Sequence, residues 1–498
     1  MENYAAGLSG LSFIAGQWQS EQQQVFHAFC PARNEDMATP FYNASLQDVE
    51  SACASAERAF IAYRGTSYQQ RSEFLHAIAD EIEALGDELL NTTHLETNLP
   101  LARLQGERGR TMNQLRAFAD ALADNLAPLH LHYHDAGEPN RTPLPKPDTT
   151  LRFLPLGPVA VFGASNFPYA FSTLGGDTAA ALAAGCPVIV KSHPAHPGTS
   201  ELMTRAIAKA ISRCQMPEGT FAMLQGTDHS IAHQLVSAKQ IKAVGFTGSL
   251  TVAKALMSTI HSREEVIPFY GELGAINPQI ILPQALASAR TLGQQLCASL
   301  LMGHGQFCTS PGLWLVPTHG SDELVATVRE HIGDAPSDTL LSPSIIDAYE
   351  RDTKALAQCN GVQVLAQGHK DAPFHAQAQV FTCSAEGFIN TPMLHQEVFG
   401  PTALIVRYDD EQQLMHVVDA LEGQLTASIY GEQTQHQPLI ERLSYKVGRL
   451  IYGQMPTGVE VCQSMNHGGP YPAATDVRST SVGLEAMRRF LRPLCVQH

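Results

Sequence analysis

Charge is scarce in this 498-residue chain. Asp, Glu, Lys and Arg together make up 16% of it, well under the usual quarter. Disorder driven by charge is thereby excluded, and a hydrophobic content of 44% supplies a sizeable core. Basic residues are the scarcer sign, 32 against 48 acidic, for a formal net charge of -16. That balance does not readily assemble a basic face, so nucleic acid is not expected as a partner. Long apolar runs are missing too. The longest nearly apolar stretch, 178–190, holds Gly185 and Pro187 and falls short of the about 20 residues that a membrane span needs. The opening Met1-Glu2-Asn3-Tyr4 has no basic segment leading into an apolar one, so no signal peptide and a cytoplasmic location are expected. No Cys-x-x-Cys occurs among the ten cysteines. They read as reduced thiols, most of them small buried hydrophobes, and no metal is expected.

Residues 45–125 read as helical, with stretches such as 46–63 and 69–90 rich in Ala, Leu and Glu. The alternation Leu129-His130-Leu131-His132-Tyr133-His134 predicts a strand, and four prolines between 139 and 147 then make an extended arm. From 159 to 271 short apolar, β-prone runs alternate with helical stretches of 10–16 residues: strands at 159–162, 187–190, 220–224, 241–246 and 266–269, and helices at 172–184, 198–213, 229–237 and from 249. Such spacing means a parallel, doubly wound sheet covered on both faces. Region 272–450 repeats that α/β character, and the tail 478–498 holds a helix and a final strand. Ligands of such sheets sit at the carboxyl ends of strands, so motifs that follow strands matter most.

Several such motifs occur in order. Ser165-Asn166-Phe167-Pro168 follows the first strand of the alternating region and Lys191 ends the second. Gly245-Phe246-Thr247-Gly248-Ser249 opens a helix. Glu272-Leu273-Gly274-Ala275-Ile276-Asn277-Pro278 follows a strand, and Gly305-Gln306-Phe307-Cys308 and Glu397-Val398-Phe399-Gly400-Pro401 come later. Cys308 has a flexible, Gly-flanked approach and can be reached by a small electrophile. Its thiol needs an activator, because only the thiolate is nucleophilic. Together these blocks resemble the aldehyde dehydrogenase superfamily over essentially the whole chain.

The resemblance implies an α/β fold of two doubly wound domains plus a small β oligomerisation element. Residues 1–128 and 151–271 would bind the coenzyme, 272–477 would form the catalytic domain, and 129–150 with 478–498 would make a homodimer or homotetramer. It makes Cys308 the nucleophile and Glu272 the general base, with Asn166 and the Cys308 backbone N–H holding an oxyanion. Lys191 would touch the adenosine ribose, Ser249 with Gly245 the pyrophosphate turn, and Glu397 with Phe399 the nicotinamide ribose. Two departures stand out: Ala275 where the family has a second glycine, and Ala253 after the phosphate turn. An acid that often follows the lysine is Pro194 here. NADP is therefore the expected coenzyme, with Lys191, His193 or His229 near its 2'-phosphate, and NAD is also permitted.

The end of the chain narrows the resemblance. Pro456-Thr457-Gly458-Val459-Glu460-Val461, His467-Gly468-Gly469-Pro470-Tyr471-Pro472 and Arg492-Pro493 look like the α-ketoglutaric semialdehyde dehydrogenases and the related bacterial NADP-dependent fatty aldehyde dehydrogenase. Arg110 falls where the family lines its substrate tunnel, beside Phe167. Its guanidinium could hold a distal carboxylate, or it could simply pair with Glu107 or Glu96 at the surface. A fatty aldehyde would want an apolar tunnel instead. A coenzyme A-acylating relative would lack Glu272. A catalytically dead binding or structural protein would not need Cys308, Glu272 and Asn166 together.

Overall fold

A computed structural model describes Tyr4 and residues 7–20, 24–432, 434 and 436–498. Its first sheet runs in the order Phe269–Glu272, Ala243–Thr247, Val159–Phe162, Val188–Lys191, Phe221–Leu224, all parallel, and an N-terminal hairpin (Ser12–Ile14, Gln17–Gln19) extends it through an antiparallel pairing of Phe13 with Met223. These strands are continuous apolar runs because both faces are covered. Val159, Val161, Val188 and Val190 face helices Tyr68–Ala84, Leu101–Ala123, Gly176–Ala184 and Pro197–Arg213. Ala160, Phe162, Ile189 and Val244 face Leu46–Tyr63, His229–Ser237 and Leu250–His261. The chain's direction of progress across the sheet reverses at Val159–Phe162, which lies between Ala243–Thr247 and Val188–Lys191. That reversal opens a crevice at the strands' carboxyl ends.

The second sheet has the order Gln363–Gln367, Gln379–Ser384, Thr402–Tyr408, Leu313–Pro317, Pro278–Ile281, Gln424–Tyr430, Val447–Tyr452, and only the first of these is antiparallel to its neighbour. Leu313 and Leu315 enter one core, Trp314 and Val316 the other. The parallel, doubly wound reading thus holds for both halves. A third, three-stranded antiparallel sheet joins Tyr133–Asp135, Thr149–Pro155 and Leu491–Gln497. Among the described residues, no helix is long and apolar enough to cross a membrane.

Three local expectations need correction. The strand expected at 129–134 is a 3-10 turn at Ala127–Leu129, with strand only from Tyr133. Leu126 and His130 adopt left-handed backbone, and Leu129 and Leu131 are buried against the body. Their alternation therefore anchors a turn instead of facing a sheet. The stretch 69–90 is two helices, Tyr68–Ala84 and Gly86–Thr97, broken at Gly86 with φ +55°. The helix in the tail is a 3-10 segment, Leu484–Phe490.

That segment fastens the tail to the first sheet. Arg489, 4% exposed, pairs with Asp177 in the first turn of Gly176–Ala184, and its guanidinium lies over Tyr270 and Phe490. Removing one member leaves the other charged and buried, a loss of about 3–5 kcal/mol. We expect Arg489→Met to lower the denaturation midpoint strongly in a urea titration, and Arg489→Met with Asp177→Asn to recover most of it. Equal midpoints for the single and double variants would contradict this.

Candidate active site

The loop leading to Cys308 is built from unusual backbone. Gly303, His304 and Gly305 all have positive φ, and a side chain at Gly305 would strike the backbone of Gly400 and Pro401. Glycine there lets the loop carrying Cys308 lie directly on the Glu397-to-Pro401 segment. Asn277 pins the loop from below: fully buried, its Nδ2 donates to the carbonyls of Cys308 (2.9 Å) and Ser310 (3.0 Å), and its Oδ1 accepts from Thr426. Cys308 is left half-buried, packed on Ala275, Leu425 and Ala473. The Ala275 methyl thus fills a small apolar cluster beside the thiol, which is how the turn accommodates it.

Glu272 ends the strand Phe269–Glu272 and is 4% exposed. Its Oε2 accepts from Ser481 Oγ at 2.7 Å. Its Oε1 lies 2.7 Å from His467 Nε2, off the line of the ring N–H, so the contact is electrostatic more than a formed hydrogen bond. The same Nε2 is 3.5 Å from Cys308 Sγ. Burial and the neighbouring Glu272 carboxylate push the Cys308 thiol well above its ordinary pKa. Burial also pushes on Glu272, but His467 and Ser481 overcome it and hold the carboxyl below its ordinary value. The resting pair is a neutral thiol beside a carboxylate, with an imidazole touching both.

The Asn166 loop is gripped by helix Leu101–Ala123. Arg103 donates to the Asn166 carbonyl at 2.7 Å, and buried Glu107, one turn on, accepts from the N–H groups of Tyr169 (2.8 Å) and Ala170 (3.0 Å). Asn166 Nδ2 donates to the carbonyl of Gln306 at 3.0 Å, which sets the amide beside the Cys308 loop with a second N–H to spare. Among the described residues the Cys308 backbone N–H makes no hydrogen bond. The Cys308 N–H and the second Asn166 amide N–H are thus both left without an acceptor among the described residues.

Above them stands a mostly apolar cluster of Phe167, Phe171, Val459, Val461, Met465 and Val482. Arg110 lies over the Phe171 ring at 5.0 Å and donates from Nε to the Val459 carbonyl at 3.1 Å. It makes no ion pair among the described residues. Glu107 accepts through Oε1 and leaves its buried Oε2 without a hydrogen bond among the described residues, and Glu96 accepts from Gly198 and Thr199 at the start of another helix. Both acids are buried, so a pairing with either would not lie at the surface. Burial lowers the Arg110 pKa, and the charges that act on it are Glu107 first, then Cys308, Glu272 and Glu460.

Of the residues expected to meet the coenzyme, Lys191 ends a strand, Ser249 follows one, Gly245 lies inside one, and Glu397 and Phe399 precede Thr402–Tyr408. Lys191 donates to the Ser192 and Gly226 carbonyls, and burial lowers its pKa to about 8. Ser249 is the exposed N-cap of Leu250–His261, while Ala253 points into the core. Gly245 has a packing reason of its own: a side chain there would meet the buried Asp177 carboxylate at 2.7 Å. Glu397 lies against Gly274, half-buried, with its pKa raised to about 7 by burial and lowered only by the Ala275 N–H. Phe399 is half-buried two residues on. His193 stacks on His196, and burial pushes its pKa well below the ordinary imidazole value. An acid does stand near Lys191: Asp228, the N-cap of His229–Ser237, whose charge faces the ammonium.

The model of the aldehyde dehydrogenase family matches residues 18–489. The chain belongs to that family. It is 44% identical to α-ketoglutaric semialdehyde dehydrogenase 2 of Azospirillum brasilense (98% of this chain, 94% of the relative) and 40% identical to α-ketoglutaric semialdehyde dehydrogenase of Acinetobacter baylyi (98% and 94%). Betaine aldehyde dehydrogenase of Staphylococcus aureus, solved in complex with NAD+, superposes with a TM-score of 0.84 over 99% of this chain and 97% of its own at 19% identity.

The structure brings Cys308 and Glu272 together around His467 and sets Asn166 against Gln306, two residues before Cys308. It adds His467, Ser481, Asn277 and Arg103, to which sequence reasoning gave no role. His467 heads the quoted His-Gly-Gly-Pro block and Asn277 lies in the Glu272 block, so both were in view. What was missing was their distance from Cys308. Because Glu272 raises the Cys308 pKa, we expect iodoacetamide to label Cys308 slowly at neutral pH and faster as pH rises. Glu272→Gln should label faster at neutral pH than the parent. Slower labelling in that variant would contradict the electrostatic reading.

Proposed function

We propose that this chain oxidises α-ketoglutaric semialdehyde to α-ketoglutarate with NAD(P) through a thioester on Cys308. Support comes from the two relatives of that name and from Arg110, a guanidinium with no ion pair among the described residues that lies over Phe171 beside an apolar cluster. A distal carboxylate could take its terminal N–H groups bidentately, in an environment where such bonds are strong.

The Cys308 proton passes to the His467–Glu272 pair, and the thiolate sulfur attacks the aldehyde carbon. The Cys308 N–H and the spare N–H of Asn166 take the oxyanion. When bound, NAD(P) supplies the acceptor for the hydride that leaves this carbon. Glu272 then takes a proton from water, whose oxygen attacks the thioester carbonyl. The carboxylic acid leaves and Cys308 regains its thiol. Support for a coenzyme here comes from Lys191 at a strand end, Ser249 at a helix N-terminus, and the Glu397 carboxylate, whose acceptor capacity hydroxyl groups could use. We assign the first sheet to the coenzyme, the second to catalysis, and the third to assembly into a homodimer or homotetramer, through the exposed strand Tyr133–Asp135. NADP use with NAD accepted is our reading of the adenosine end, with Lys191 and His229 available to a 2'-phosphate and Asp228 opposing it.

Arg110→Leu should raise KM for α-ketoglutaric semialdehyde by about 10- to 100-fold, the worth of one or two charge-assisted hydrogen bonds. KM for hexanal should barely change. Equal losses on both would remove the carboxylate role, and better turnover of hexanal by the parent would move the enzyme to fatty aldehydes. Asp228→Asn should tighten NADP binding by about two- to fivefold relative to NAD, read by calorimetry. Unchanged affinities would exclude Asp228 from the coenzyme site.

A further inference from the structure

The chemistry above uses Cys308, His467 and Glu272 as carriers of protons and of an acyl group. The same three side chains also make a ligand set. Sulfur, imidazole nitrogen and carboxylate oxygen converge with all three donor atoms within 4.8 Å of one another. They come from three separate segments, so no local sequence spacing reveals the cluster.

We propose that Cys308, His467 and Glu272 form a binding site for one zinc-class divalent cation, which reversibly blocks the nucleophile. Tetrahedral zinc holds sulfur at about 2.3 Å and nitrogen at about 2.0–2.1 Å, which places these two donors about 3.5 Å apart. Cys308 Sγ and His467 Nε2 are separated by 3.5 Å. The 2.7 Å between His467 Nε2 and Glu272 Oε1 is tighter than zinc needs, and the carboxylate would back away by roughly 0.6 Å. Glu272 Oε1 has no aligned hydrogen bond to lose in doing so, and Ser481 holds Oε2, the usual way a ligating carboxylate is oriented.

Charge points the same way. A thiolate and a carboxylate side by side out of water repel, and a dication between them neutralises both. Zinc would displace the thiol proton to solvent as the Zn–S bond forms, with no change of oxidation state. The soft sulfur favours zinc or cadmium over magnesium or calcium. Three protein ligands leave a fourth position open towards the tunnel, where water completes the shell. The site stands on the geometry of the trio and does not depend on which aldehyde the enzyme prefers.

The test is protection of Cys308 from iodoacetamide in the full-length enzyme, read by peptide mapping after titration with zinc chloride. The exposed Cys462 and Cys495 serve as internal controls. Zinc should protect Cys308 reversibly, with labelling restored by EDTA, and magnesium chloride at the same concentration should not. Half-protection should need at least tenfold more zinc in His467→Gln and in Glu272→Gln. Cadmium chloride should give the near-ultraviolet thiolate charge-transfer band, reduced by one equivalent in Cys308→Ala. No protection up to millimolar zinc, or equal protection in the parent and both variants, would overturn the site. Turnover of aldehyde in chelated buffer is measured alongside, so a failed zinc site and a failed dehydrogenase reading are told apart.

Discussion

A carboxylate and a thiol share one small space that water barely enters. Both cannot be anionic there without a cation or proton between them. His467 and Ser481 hold the Glu272 carboxyl below its ordinary pKa, and burial together with that carboxylate raises the Cys308 thiol. The thiol is poised, not pre-ionised. In the reaction we propose, its proton moves as the substrate carbon arrives, and the imidazole touching both partners would carry it. The same restraint protects a half-buried thiol from casual electrophiles.

Much of the surrounding architecture maintains that arrangement. Glu272 comes from the end of the first sheet, Cys308 from the second, and His467 from the segment after the last strand of the second sheet. Asn277 holds the Cys308 carbonyl, Gly305 lets the loop rest on Gly400, and the Glu272 backbone bridges to Ala474. Arg103 and Glu107, one turn apart, fix the Asn166 loop by its carbonyl and its N–H groups. Each contact is modest. Together they fix the positions of groups that must meet to within a few tenths of an ångström.

The sequence made parts of this legible for physical reasons. Buried parallel strands are continuous apolar runs, so Val159–Phe162 and Val188–Lys191 announce themselves. Cys308, Glu272 and Asn166 sit in contiguous blocks at strand ends or glycine-rich turns, where short motifs carry the signal. Relations across long separations carried none. His467 is 159 residues from Cys308, and a lone histidine is more often a satisfied core residue. Asp228 escaped notice because an acid was sought next to Lys191 in sequence, whereas it arrives from the loop after the next strand. Gly245 suggested a phosphate turn, yet the absent side chain also makes room for Asp177. The alternation at 129–134 resembled a strand because a turn anchored by two leucines shows the same pattern over so few residues.

The covalent intermediate is the central claim, and mass spectrometry of enzyme quenched during turnover addresses it most directly. In Glu272→Gln, with α-ketoglutaric semialdehyde and NADP, thioester hydrolysis should slow while acylation continues. The Cys308 peptide should then carry the acyl group, and Cys308→Ala should show neither adduct nor turnover. Turnover that persists in Cys308→Ala, or an acyl group found on another residue, would contradict the account.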